Sequence, residues 1–325
     1  MKKSFVAAIA TLALVACQQE VTVVAPDNSI SFANAFVDHT PVLTRTTDPT
    51  ITKGSITGFN VWAYMDTPSV ALLDGDDVEK NAEGVWTYRN TQYWAPDHTY
   101  YFAALAPMDS DNWTLDTSKA NSYGAGEVTF NNLNGTEDLL YSATSVTTPD
   151  LQTLTGAGMP AVELTFSHLL SRLQFSFRNG FDTPNYTVEV KGVQMTAPKT
   201  GTINLAVENW WDNDDWRLGT DQTVLAFGDI PVLQKWESAV TPNQRLTIPA
   251  TVAQKYEVTF TVVLYVSDVE AMRVEKKATL TNVAFQMGKS YNITTEITPK
   301  NLGLAEIEFD VEEVKTWIEE GKVDM

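Results

Sequence analysis

The chain has 325 residues, 43% of them hydrophobic, with 22 Lys and Arg against 41 Asp and Glu and a net charge of −19. That balance excludes nucleic acid as a partner, because phosphate binding needs clustered positive charge, and it suits an acidic exterior that resists nonspecific association. With a single cysteine no intramolecular disulfide can form, so stability has to come from core burial, for which the length suffices for about two domains.

At the N-terminus Lys2 and Lys3 precede an apolar run, Phe5 to Ala16, broken only by Thr11. At ~1.5 Å per residue the run spans roughly 18 Å, short of the ~30 Å hydrocarbon core, so it reads as a secretion signal and not as a permanent membrane helix. It ends at the cysteine, and the order Leu14, Val15, Ala16, Cys17 resembles the lipobox of bacterial lipoproteins. The resemblance implies removal of residues 1–16, attachment of diacylglycerol to the Cys17 thiol and acylation of the new amine. Two or more chains, at ~0.8 kcal/mol per buried methylene, hold a protein on a bilayer. Gln18 follows the cysteine where many inner-membrane lipoproteins have aspartate, so an outer-membrane lipoprotein exposed at the cell surface is expected. A structural cysteine behind an ordinary signal is the alternative.

Beyond the leader, strand patterns follow one another almost to the end. "GFNVWAY" (58–64), "TYYFAALAP" (99–107), "LQFSF" (173–177), "YTVEVKGV" (186–193), "YEVTFTVVLYV" (256–266) and "YNITTEI" (291–297) are short, β-branched and aromatic, and most alternate. Gly, Asn, Asp and Pro clusters separate them, as β-turns require. Such spacing without helical patterns predicts an all-β chain of antiparallel sandwiches. A Thr-, Gly- and Pro-rich stretch, "TTPDLQTLTGAGMP" (147–160), marks a boundary between a 46–158 domain and a 159–325 domain. The tail carries two signals. Ile307, Phe309 and Val311 alternate as in a strand, whereas Val311, Val314, Trp317 and Ile318 lie at helical spacing before Gly321.

Catalytic signatures are missing: no nucleophile elbow, no phosphate loop and no dinucleotide fingerprint, so no enzyme activity, cofactor or catalytic residue is assigned. His39, His98 and His168 have no His or Cys at zinc-ligand spacing, and His168 reads as a strand residue at a sheet boundary, His98 as part of a turn. Carboxylate pairs beside tryptophans leave a glycosidase conceivable, but with so many acids such pairs are unavoidable. "DGDD" (74–77) lacks the glycine and glutamate of an EF-hand, so no metal is assigned either. "NWWDNDDW" (209–216) is either a hairpin tip whose tryptophans cover a sandwich edge or a sugar-stacking platform.

Three blocks, "YWAPDHTYYFAALAP" (93–107), "LTFSHLLSRLQFSF" (164–177) and "MGKSYNITTEI" (287–297), resemble the recurring blocks of the fimbrillin (Mfa-like) family, in the family's order. The resemblance runs from the lipobox to near the C-terminus and implies two transthyretin-like β-sandwiches and a subunit of a type V pilus, a cell-surface fimbria. It also implies partners: other pilin subunits, the outer membrane through the lipid anchor before maturation, and a host protein or glycan receptor. In that family a protease cutting after arginine removes an N-terminal strand, and the exposed groove accepts a strand from a neighbour. Here "VLTRTT" (42–47) offers cleavage between Arg45 and Thr46, making 17–45 a propeptide, unless Arg45 is an ordinary loop residue. Ahead of it "SISFANAF" places Ile30, Phe32 and Phe36 as a core-facing strand, and Ile307, Phe309 and Val311 are the donor-strand residues if the tail is extended. The competing reading is an outer-membrane lipoprotein that captures glycans through Trp210, Trp211 and Trp216.

Overall fold

In β2 (Gly58–Met65), which follows β1 (Phe32–Val37), every residue but the last is buried, with Phe59, Val61 and Ala63 entering one core and Trp62 and Tyr64 another. Period-two alternation with both sets apolar demands a sheet covered on both faces, and the chain supplies the covers. The computed structural model describes residues 28–37, 56–108, 110–212, 215–303 and 305–314. After β2 come β3 (Thr67–Lys80), β4 (Trp86–Tyr88), β5 (Thr99–Ala106), β6 (Trp113–Asp116), β7 (Glu127–Asn131) and β8 (Leu140–Thr147). Helix α1 (Leu151–Ala157) leads to β9 (Val162–His168), β10 (Ser171–Asn179), β11 (Tyr186–Pro198), β12 (Thr200–Asn204) and β13 (Arg217–Leu218). The remainder is β14 (Gln222–Leu233), β15 (Ser238–Val240), β16 (Arg245–Thr247), β17 (Gln254–Val266), β18 (Val269–Val283), β19 (Ser290–Ile297), helix α2 (Pro299–Leu302) and β20 (Asp310–Val314). The chain is all-β, as its alternation predicts.

The first sheet has the order β1-β9-β8-β5-β2-β3-β4, with β1 parallel to β9 and the other pairs antiparallel. It curls until its two ends meet. Phe32 on β1 lies 5.5 Å from Tyr88 on β4, ring to ring at 70°, and the space enclosed is filled by Phe59, Val61, Phe102, Leu164 and Phe166. Helix α1 adds Leu154 to this core; Asp150 caps it by accepting from Thr153 N at 3.0 Å.

The outer face of β2, β5 and β8 is covered by a second sheet, β13-β12-β7-β6. Its central ladder joins β7 to β12, with Val128 opposite Ile203, so strands from both halves of the sequence build one layer. Phe130, Leu205, Trp216, Leu246 and Ile248 meet Trp62, Leu105 and Tyr141 in this middle core. The chain passes from the first sheet to the last sandwich at Leu169 and Leu170, both fully buried there.

That last sandwich stacks the sheet β15-β10-β19-β20, with β16 also on β10, against β14-β11-β17-β18. Leu173, Phe175 and Phe177 from β10 interleave with Val188, Val190 and Met195 from β11 and with Val258, Phe260 and Val262 from β17. One irregularity keeps the inward face of β11 apolar: the ladder shifts between Val190 and Val193, and Gly192 takes φ 61 there while donating its N–H to Asp229 Oδ1 at 2.8 Å. A left-handed residue at a bulge favours glycine.

Candidate functional site

The N-terminal segment contributes to the first core through side chains that strand alternation places inward. Ile30 is 1% exposed and Phe32 5%, and Phe32 meets Phe59 and Phe102 edge-on at 5.9 and 6.1 Å. Its backbone is held on both sides. Val162 N donates to Ser31 O at 2.7 Å, while across the gap Ile30 N donates to Gln92 O at 2.7 Å and the Tyr88 hydroxyl to Ile30 O at 2.8 Å. Burial raises the Tyr88 hydroxyl above its ordinary pKa, so it stays protonated and a donor. Further along, Phe36 pairs with Thr165 after a bulge that places one extra residue on β1. β1 is therefore a core strand at a sheet end. Arg45 and Thr46 fall between Val37 and Ile56, and they and Cys17 lie outside the described residues.

The tail resolves its two signals in favour of the strand as far as it is described. Residues 310–314 pair antiparallel with β19, Val311 opposite Ile293 and Val314 opposite Ser290, so the helical spacing of Val311 and Val314 is not expressed. The reason is tertiary: the open edge of β19 offers backbone partners along its length, and a sheet edge outweighs a short helical periodicity. Trp317, Ile318 and Gly321 lie outside the described residues. Ile307 is 5% exposed, and Phe309 lies edge-on to Phe175 at 5.6 Å, Phe260 at 6.0 Å and Phe177 at 6.1 Å. Val311 packs on the same core. All three side chains thus fill the gap between the two sheets of their own sandwich, and Thr295 Oγ1 holds the segment by donating to Glu308 O at 2.7 Å. Between residues 306–311 and edge strand β18 a cavity of about 620 Å³ remains, bounded by Ala278 and Leu280.

The remaining sequence candidates are placed as follows. His168 ends β9, fully buried, with Nδ1 2.8 Å from Asp138 Oδ2, a structural pair under the middle core. His98 closes a turn before β5, 2.6 Å from Asp66 Oδ2. The "DGDD" residues lie on β3, where Asp77 Oδ1 accepts from Asn60 Nδ2 at 2.8 Å. Of the three tryptophans in "NWWDNDDW", Trp210 and Trp216 are buried in the middle core, and Trp211 is exposed. Sequence reasoning missed the tyrosines beside Trp211: Tyr64, Tyr101 and Tyr123 share a cleft with it. The outward phase of Tyr64 was readable from the alternation in "GFNVWAY", but its meeting with Trp211 depends on long-range register.

One family model, described as fimbrillin-like, matches residues 44–317, a span that begins after β1 and contains β2 to β20. The chain belongs to the fimbrillin-like family. Among solved structures, this fimbrillin-like chain resembles a candidate cell adhesion protein of Bacteroides uniformis, with 15% identity, TM-score 0.49, and coverage of 90% of this chain and 98% of that one. A second, a candidate cell adhesion protein of Bacteroides ovatus, has 11% identity, TM-score 0.48 and coverage of 91% and 99%. A fimbrial assembly protein of Parabacteroides distasonis has 14% identity, TM-score 0.42 and coverage of 79% and 88%. No curated protein matches the fimbrillin-like chain.

Proposed function

We propose that the chain is a structural and adhesive subunit of a cell-surface fimbria, exported as a lipoprotein on Cys17, cut between Arg45 and Thr46, and polymerised by strand exchange with other pilin subunits. The observation that carries this reading is the position of the N-terminal segment: Ile30, just ahead of β1, and Phe32 on β1 are buried, and the segment is joined to the rest of the chain through the stretch that contains Arg45. Burying two such side chains contributes about 3–6 kcal/mol. Holding a separate chain costs about 4–15 kcal/mol in lost freedom, so a strand that is stable while tethered becomes exchangeable once cut. Its departure would expose the backbone of β9 and an aromatic groove lined by Phe59, Phe102 and Tyr88, a site for strand addition. The donor is the tail, whose Ile307, Phe309 and Val311 leave their own sandwich and present an alternating apolar row to a neighbour's groove.

N-terminal sequencing of protein recovered from sheared surface filaments tests this. Thr46 as the first residue is the expected result, and a membrane-bound chain beginning at Cys17 with no polymer would refute it. Arg45→Ala is expected to fold as a monomer and fail to accept a donor, because β1 still occupies its groove.

A further inference from the structure

The covering sheet does not reach the end of the face formed by β2, β5 and β8. Register sets Tyr64, Tyr101 and Ser145 in one row across these strands and Trp62, Ala103 and Ala143 in the next. The two alanines make a low floor. A cleft of about 200 Å³ opens above them, walled by Tyr123 and Trp211 from two loops. Both wall rings are exposed, Tyr123 at 49% and Trp211 at 56%, yet their supports are fixed. Trp211 lies edge-on to Trp210 at 6.0 Å, and Trp210 is buried edge-on against Tyr141 at 4.7 Å. The Tyr123 N–H donates to Asn121 Oδ1 at 2.8 Å, and Asn121 Nδ2 donates to Ala206 O at 2.8 Å. Aromatic rings on anchored supports but left in solvent add little to the core and offer pre-set faces to a ligand.

We propose that this cleft binds an uncharged pyranose sugar. The ring's C–H face lies against Trp211 or Tyr123, and its hydroxyls reach the Tyr101 and Ser145 hydroxyls and the Glu208 carboxylate at the rim. The volume is below the ~300 Å³ at which drug-sized ligands begin, which suits one sugar ring. Glu208 and a net charge of −19 disfavour acidic sugars. A quaternary ammonium ion is the other ligand that aromatic faces attract, but the polar groups of this cleft are spread along a row and suit several hydroxyls better than one charge.

Binding is measured on the monomeric full chain in solution, so it stands apart from fibre assembly. Saturation-transfer NMR with the methyl glycosides of glucose, galactose, mannose and N-acetylglucosamine, with glucuronate and choline as comparators, is the test. At least one neutral glycoside is expected to show transfer, strongest at its ring C–H protons. Trp211→Ala and Tyr123→Ala are each expected to weaken it about fivefold to tenfold with an unchanged circular dichroism spectrum. Absence of transfer from every neutral glycoside, preference for glucuronate or choline, or undiminished binding by Trp211→Ala would overturn the assignment.

Discussion

Phe309 is only half buried, yet it touches three aromatic rings from both sheets of its sandwich. Phe309→Ala removes those contacts and leaves a void that rigid neighbours cannot fill, so urea denaturation should show a loss of about 2–4 kcal/mol. Charge acts differently at the surface of the middle layer. Glu127 on β7 is bonded by Lys119 and by Arg217, and the Lys119 hydrogen bond, then the Arg217 contacts, hold its carboxyl below the usual range. A carboxyl lowered on folding stabilises above its unfolded pKa, and that contribution is lost as pH falls through the folded value. Denaturation midpoints of wild type and Glu127→Gln should therefore differ at pH 7 and converge below about pH 4. A constant difference across that range would remove the linkage.

Strands β1 and β20 sit at opposite ends of the chain, and each closes a core that the rest of the fold leaves open. Deleting residues 306–325 should lower the melting temperature by several degrees, because Ile307, Phe309 and Val311 leave the sandwich, and should also prevent polymerisation. A destabilised variant that still assembles would defeat the donor role. How much of this was legible depended on range. Ile30 and Phe32, and Ile307, Phe309 and Val311, announce core-facing strands by alternation alone, and the structure buries or packs all five. Val311 and Val314 misled, because helical spacing is a local signal and the edge of β19 is not local. Helix α1 was hidden in a stretch that looked like a linker; its signal was the Asp150 and Thr153 cap, weaker than the surrounding Gly, Thr and Pro. The cleft residues came together only through the β2-β5-β8 register, which no single stretch encodes.

At the scale of the molecule, the β7–β12 ladder and the middle core bind the two halves of the sequence into one body. Calorimetry should accordingly give a single cooperative transition, and Trp216→Ala, which removes a buried ring from that core, should lower it as a whole and not split it. Two resolved transitions would show that the halves unfold independently. The middle core also bears on how the molecule answers a pull. In the proposed fibre, tension enters a subunit where a neighbour's strand lies beside β9 and leaves through its own tail. The route between them runs from β9 to β10 through Leu169 and Leu170, both buried in the middle core, instead of a bare linker. A force applied end to end is then carried by a two-residue connection braced on all sides by core packing and by the β10–β19 ladder, so each subunit would stretch little, and the fibre would behave as a chain of stiff links and not as a string of hinges.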